Sequence, residues 1–298
     1  TTTQRQRRLG RRPSGNSSGM KMMMPVRAGV RAACCTHAIS AVAPEAGPSV
    51  GGARLEYAPA TVDTVRASDD PHRIQPTALR GCRVTTTTIS REQREYAEAR
   101  VAAAGLEDLI TVVGADYRDL QGTYDKLVSI EMIEAVGVGH LDRFFQVCGE
   151  RLAPHGQMLI QAIVMPEHRF AAYQRSADFI QTYVFPGNAL ASVGAMAGAI
   201  GRRTDFRIAH LEDLSPHYAR TLRAWRERFM ARTADVRQLG YDDRFIRLWE
   251  YYLAYCEAAF MERCTGVVQM LATRPASRID AVGAGARTHA AARGVRAS

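Results

Sequence analysis

The chain has 298 residues, 46% of them hydrophobic, and a formal charge of +9. That length holds one large domain or two small ones, and no apolar run approaches the roughly 20 residues that span a bilayer. The six cysteines form no CxxC pair and no Cys/His zinc spacing, so no metal is expected and a reducing cytosolic setting fits.

The charge is unevenly spread. Residues 1–80 hold 12 Lys+Arg against 5 Asp+Glu, and residues 275–298 hold 4 Arg against 1 Asp, so the span 81–274 is close to neutral. Basic ends of this kind are solvated or attracted to membranes, and no nucleic-acid partner is expected. Residues 1–80 form a polar, arginine-rich, low-complexity segment for which disorder is expected, as it is for the tail 275–298. The pattern predicts one domain between them, over 81–274.

That domain reads as alternating strands and helices. CRVTTTTI (82–89) is β-branched and strand-like. Ser90 suits an N-cap with Gln93 at the capping-box position, and a helix follows over 91–105, closed by Gly105. Strands are predicted at 109–115 and 124–132. An amphipathic helix follows at 141–152, ended by Pro154 and Gly156, and then a strand at 156–164. Further on come helices at 169–185, 218–236 and 243–264, with strands at 206–214 and 267–274. This rhythm argues for βαβ units and a parallel sheet.

The motifs, in order, are GCRVTTTTISREQ (81–93), ADYRDL (115–120), YDKLVSIEMIEAVG (124–137), QRSADFIQTYVFPG (174–187) and HLEDLSPHYARTLRAWRERF (210–229), followed by the 241–264 helix. Together they resemble the cyclopropane-fatty-acyl-phospholipid synthase family over about two-thirds of the chain. The resemblance implies an α/β fold: a class I methyltransferase, doubly wound, with a mostly parallel sheet and added helices. It implies S-adenosylmethionine at the carboxyl ends of the first strands. The implied reaction transfers its methyl group to the cis double bond of a phospholipid acyl chain. The implied setting is cytoplasmic and peripheral to the membrane, with acyl chains at a membrane surface as partner.

Site residues follow from the same resemblance. Glu134 matches the family carboxylate that positions a bicarbonate ion, and Tyr218 matches a tyrosine that contacts the same ion. Gln161 stands where well-known members have histidine, and Ile163 matches a residue that contributes its backbone. Glutamine can donate a hydrogen bond but does not titrate. For the cofactor, Thr88 and Gln93 match a segment near the ribose and adenine, and Tyr117 and Arg118 match the pair near the adenine ring.

One family feature has no counterpart. A hydrophobic strand ending in a glycine-rich ExGxGWG turn belongs just before residue 81. RASDDPHRIQPTALR (66–80) has no glycine there, and its prolines at 71 and 76 do not suit a central strand. Gly51-Gly52 lies too far upstream, and Cys34-Cys35 lacks the context of the family's tyrosine-serine-cysteine segment. The sheet is therefore expected to lack its central first strand. A shifted reading frame, a wrong gene model or a truncation would each account for residues 1–80. Two alternatives stay open: methylation of another apolar substrate, and a catalytically inactive remnant. The sequence does not fix the oligomeric state.

Overall fold

The computed structural model describes residues 38–43, as backbone, and 82–278. Of the segments 1–80 and 275–298, for which disorder is expected, residues 1–37, 44–80 and 279–298 lie outside the described residues, as does Gly81.

In chain order the elements are β1 (Ala38–Ala43), β2 (Arg83–Thr87), α1 (Arg91–Ala103), β3 (Ile110–Val113), β4 (Tyr124–Ile130), the single turn α2 (Ile133–Val136) and α3 (Leu141–Arg151). Then follow β5 (Leu152–Val164), α4 (Glu167–Tyr173), a π-helical turn (Ile180–Val184), α5 (Val193–Arg203) and β6 (Arg207–Asp213). The chain continues through α6 (Ser215–Ala231), α7 (Thr233–Gln238), α8 (Asp243–Met261) and β7 (Gly266–Thr273). The strands form one seven-stranded sheet in the order β3-β2-β1-β4-β5-β7-β6. β2 pairs parallel to β3, and β4 parallel to β5, whereas β7 runs antiparallel to both β5 and β6.

The central position corrects one expectation. The parallel first strand and its glycine turn have no counterpart among the described residues, but the position is filled. Ala38–Ala43 lies between β2 and β4, antiparallel to both, with Val42 opposite Val84 on one side and Lys126 on the other. The physical reason is edge satisfaction. Two facing strand edges inside a sheet leave rows of N–H and C=O groups unpaired. AISAVA is a short run of small and β-branched apolar residues that can pair with both.

Local chemistry sets the other elements. Ser90 caps α1 by accepting from Gln93 N, as its position predicts. The Gln93 side chain accepts from Thr88 Oγ1 at 2.7 Å instead of returning to the cap. Gly105 ends the helix at φ +64°. β5 starts at Leu152, earlier than the proline suggests, because a register shift lets Pro154 and Gly156 bulge out between Leu152 and Gln157.

Two helix predictions change, and a further helix has none. The 169–185 helix breaks after Tyr173, and Asp178 and Gln181 exchange side-chain-to-backbone hydrogen bonds that start the π-helical turn afresh. The 218–236 helix starts earlier, at Ser215, and divides at Arg232. α5 has no sequence-based prediction, because its three glycines in eleven residues speak against a helix. Ser192 caps it, and Met196, Ala199 and Ile200 bury its inner face.

Two apolar clusters position the site. One lies under β4, β5 and β7, where α3 contributes Phe144, Phe145 and Cys148. The other joins α6 to α8 through Leu222, Trp249, Tyr252, Leu253 and Phe260. Glu257 fixes that helix pair from within. It is buried and accepts from Arg223 Nε at 2.7 Å and Arg226 Nη2 at 2.9 Å.

Candidate active site

The parallel strands all end on one edge of the sheet, where ligands bind in open α/β folds. β4 delivers Glu131 just past its last residue and Glu134 one turn later, both buried. β5 brings Gln161 level with Ile130, and β7 brings Gln269 opposite Gln161. Tyr218 reaches in from the first turn of α6.

These side chains form one network. Gln161 Nε2 donates to Glu131 Oε1 at 2.7 Å, and the Tyr218 hydroxyl donates to Glu131 Oε2 at 2.7 Å. Gln269 Nε2 donates to Gln161 Oε1 at 2.8 Å, fixing which end of that amide faces Glu131. The backbone helps: Glu131 N–H donates to Gln161 O at 2.8 Å. Glu131 holds φ +49°, in the left-handed region. For a residue with a Cβ this costs about 1–3 kcal/mol and persists where its surroundings over-determine it.

Glu134 is held differently. Its Oε1 accepts from Ile163 N–H at 2.6 Å, whereas its Oε2 is buried without a hydrogen-bond partner. Burial, and secondarily the Glu131 charge, push its pKa up to about 8. At neutral pH the group is therefore mostly a neutral acid whose free oxygen can donate.

The four residues expected at the catalytic centre thus come together, joined by two that the motifs did not single out. Glu131 had a signal: a second carboxylate three residues before Glu134, directly after an apolar strand. Gln269 had a weaker one, a lone amide inside the apolar run VVQMLATR. Their arrangement bears on the bicarbonate expectation. Gln161 and Tyr218 both donate to Glu131, and Ile163 N–H donates to Glu134. Here the chain's own carboxylates take these donors, and Glu134 Oε2 is the buried oxygen left to meet an ion.

The cofactor-side residues sit at the neighbouring strand ends. Thr88 follows β2, and its N–H donates to Val113 O at 3.1 Å, while Thr87 Oγ1 donates to Ala115 O. Tyr117 and Arg118 follow β3. The Tyr117 ring is half-buried, edge-on to Phe144 with centroids 5.5 Å apart. Arg118 grips Asp116 with two bonds of 2.8 Å and lies 6.0 Å from the Tyr117 ring centre. Both pairs thus reach the expected edge, and the Thr88–Gln93 pair is internally bonded. The half-buried Tyr117 ring would offer a face for an adenine to stack on. The methionine end finds no glycine cradle among the described residues. β1 enters at this edge through Ala38, opposite Ile130, and leaves at the far edge through Ala43, opposite Arg83.

Strand order, a reversed β7 and a polar cluster at the carboxyl edge define a class I methyltransferase fold. The chain belongs to the mycolic acid cyclopropane synthetase family, whose profile matches residues 74–270. It is 45% identical over 192 residues to the tuberculostearic acid methyltransferase UfaA1 of Mycobacterium tuberculosis, covering 64% of this chain and 45% of that protein. It is 32% identical over 191 residues to the cyclopropane-fatty-acyl-phospholipid synthase of Escherichia coli K12, covering 64% of this chain and 47% of that one. The chain spans about half the length of these curated relatives. Among solved structures, the mycolic acid cyclopropane synthase CmaA1 complexed with SAH and CTAB superposes with a TM-score of 0.57 at 24% identity. The match covers 63% of this chain and 68% of that one, a likeness of fold.

Proposed function

We propose that this chain is an S-adenosylmethionine-dependent lipid methyltransferase acting on the cis double bond of a phospholipid acyl chain, at the cytoplasmic face of a membrane. The observation that carries this reading is the Glu131 carboxylate, held by Gln161 and Tyr218 at the end of an apolar cluster. S-adenosylmethionine, when bound, supplies an electrophilic methyl group on a sulfonium. An alkene is a weak nucleophile, so the site must align the double bond and exclude water. The methyl group would be taken by the π-electron pair, with the C–S electrons left on sulfur, and the acyl chain would be left as a cation.

That cation needs a nearby negative charge and a base for one adjacent proton. Glu131 is suited to both tasks. Gln161 and Tyr218 fix its two oxygens, and Gln269 fixes Gln161. Neutral Glu134, whose Oε2 has no partner, adds no second negative charge beside Glu131. No group of three or more His, Cys, Asp or Glu that could hold a metal ion occurs among the described residues. No described helix is long and apolar enough to cross a membrane.

The test is incubation of the full chain with methyl-labelled S-adenosylmethionine and vesicles of unsaturated phospholipid, with acyl chains read by mass spectrometry. Label in acyl chains lengthened by one carbon is the expected result, and fragmentation then separates a ring from a branch. Label on another apolar molecule would redirect the substrate assignment. A second reading, an inactive remnant, rests on the reversed β1 and the missing cradle. A folded sample that binds no S-adenosylmethionine in calorimetry would favour it.

A further inference from the structure

α8 carries an exposed stripe that neither the core nor the catalytic network uses. Arg244, Arg247, Tyr251 and Tyr255 follow one another at helical spacing, and all four are exposed. Tyr251 is 54% exposed, and Tyr183 of the neighbouring π-helical turn is 67% exposed. Between them lies Phe179, with ring centroids 4.7 Å from Tyr251, 5.7 Å from Tyr183 and 5.8 Å from Tyr255.

Monomeric soluble surfaces seldom gather aromatic rings this way. Neither arginine forms an ion pair with a carboxylate among the described residues. The nearby acids are Asp242, which accepts from Phe245 N at 2.8 Å, Asp243, paired with Arg237 at 2.8 Å, Asp178, tied to Gln181 N at 2.9 Å, and the half-buried Glu250.

The rings are continuous with the interior. Phe179, Ile180 and Phe185 belong to the apolar cluster that includes Tyr252, Ile163 and Tyr218. Phe185 meets Tyr252 edge-on at 5.7 Å, and Tyr218 lies 4.7 Å from Phe260. An apolar path thus runs from the exposed tyrosines to the hydroxyl that holds Glu131. Cations for headgroup phosphates, tyrosines for the interfacial layer and an apolar path behind them match the chemistry of an anionic bilayer surface.

We propose that this stripe, together with Tyr183, is the face by which the chain docks on an anionic phospholipid membrane, placing the acyl chain at the mouth of the path. The inference rests on the lipid-methyltransferase reading, but its readout does not require turnover.

Flotation of the full chain with phosphatidylcholine vesicles, with and without phosphatidylglycerol, tests it. Wild-type chain should bind the anionic vesicles preferentially and less so as salt rises. R244E/R247E and, separately, Y183S/Y251S should each reduce partitioning by about tenfold or more. Melting temperature should be preserved in both, and R244E/R247E should keep methyl transfer to short-chain monomeric phospholipid. Should the charge reversal disturb folding, R244Q/R247Q and the tyrosine pair give the same readout. Variants that bind like wild type would assign binding to the basic ends and overturn the proposal. So would equal binding to neutral vesicles, or a dimer in light scattering that the variants dissociate without any vesicle binding. If vesicle binding follows the stripe while no acyl chain is ever methylated, docking stands and the enzymatic reading fails.

Discussion

The two halves of the carboxyl edge differ in how completely they are built. At β4, β5 and β7 every expected side chain has a partner across the sheet, and Glu131 is fixed by a strand end, a strand interior and a helix start. At β2 and β3 the polar residues satisfy one another locally: Thr88 with Gln93, and Arg118 with Asp116. The strand between the halves runs backwards, so no turn at its end can reach a ligand at this edge. The Glu131 half is preorganised by long-range contacts. The β2 and β3 half has its flanking residues but, among the described residues, no backbone cradle between them.

The strongest way to break that comparison is at Glu131. E131Q keeps the shape and removes the charge, and it should lower kcat by about 10²- to 10⁴-fold, the range of a lost general base. KM for S-adenosylmethionine should move little, because the residue faces the acyl side. Because the chain supplies its own acceptor, depleting bicarbonate should leave the wild-type rate unchanged, whereas added bicarbonate should partly restore E131A. A wild-type rate that falls without bicarbonate would return the base to the ion. Initial rates in degassed buffer, with and without the salt, decide between them.

The next effect belongs to β1. A41P removes an N–H from a strand with neighbours on both sides and should destabilise by about 3 kcal/mol or more. Chemical denaturation measures this, and an unchanged midpoint would mean that Ala38–Ala43 is not the strand between β2 and β4. Hydrogen exchange at Val84 and Lys126, its facing neighbours, sharpens the result residue by residue.

Much of this was legible before any coordinates. The β-branched run at 83–87, the Ser90 cap and the apolar stripe of 141–151 each state their element locally, so their boundaries hold within a few residues. Glu134, which accepts from Ile163 N–H, and Tyr218, whose partner is Glu131, came from motif order. The partner itself was hidden. What distinguishes Glu131 is its left-handed backbone and the two donors 30 and 87 residues away, and neither has a local signature. Antiparallel β1 was illegible for a related reason. AISAVA states that it can be a strand, but which gap it fills depends on two edges left open far downstream. α5 escaped because three glycines in eleven residues argue against a helix, although Met196, Ala199 and Ile200 share its buried face.

Glu134 offers a pH-dependent handle on the same half-site. Its proton is held more tightly in the fold, with a pKa of about 8, than in the open chain near 4.5. Below about pH 4.5 the group is protonated in both states and contributes nothing. As pH rises toward 8 the folded state holds the extra proton, so stability declines, and above 8 the loss is complete. E134Q removes that dependence. It should melt higher than wild type at pH 9, by roughly 2–4 °C for each kcal/mol relieved, with the gap closing toward pH 5. A gap that widens toward acid would mean that the carboxylate is stabilised in the fold.

The smallest effect is expected at Gln269, and it separates order from chemistry. Q269L fills similar space and leaves Gln161 Oε1 without its donor in a buried position, at a cost of about 1–3 kcal/mol. Gln161 can then turn its amide, presenting oxygen rather than nitrogen to Glu131 for part of the time. kcat should fall by a factor of about 3–10, equivalent to roughly 1 kcal/mol of lost positioning, while KM for S-adenosylmethionine stays constant. Q269E is the sharper partner experiment. It keeps length and polarity but loses the amide donor, and it faces Gln161 Oε1 with a second acceptor. If Q269E and Q269L slow the reaction equally without changing KM, the amide donor itself is what keeps Gln161 aimed at Glu131. If only Q269E is slow, added charge beside the site matters, and orientation through Gln269 does not.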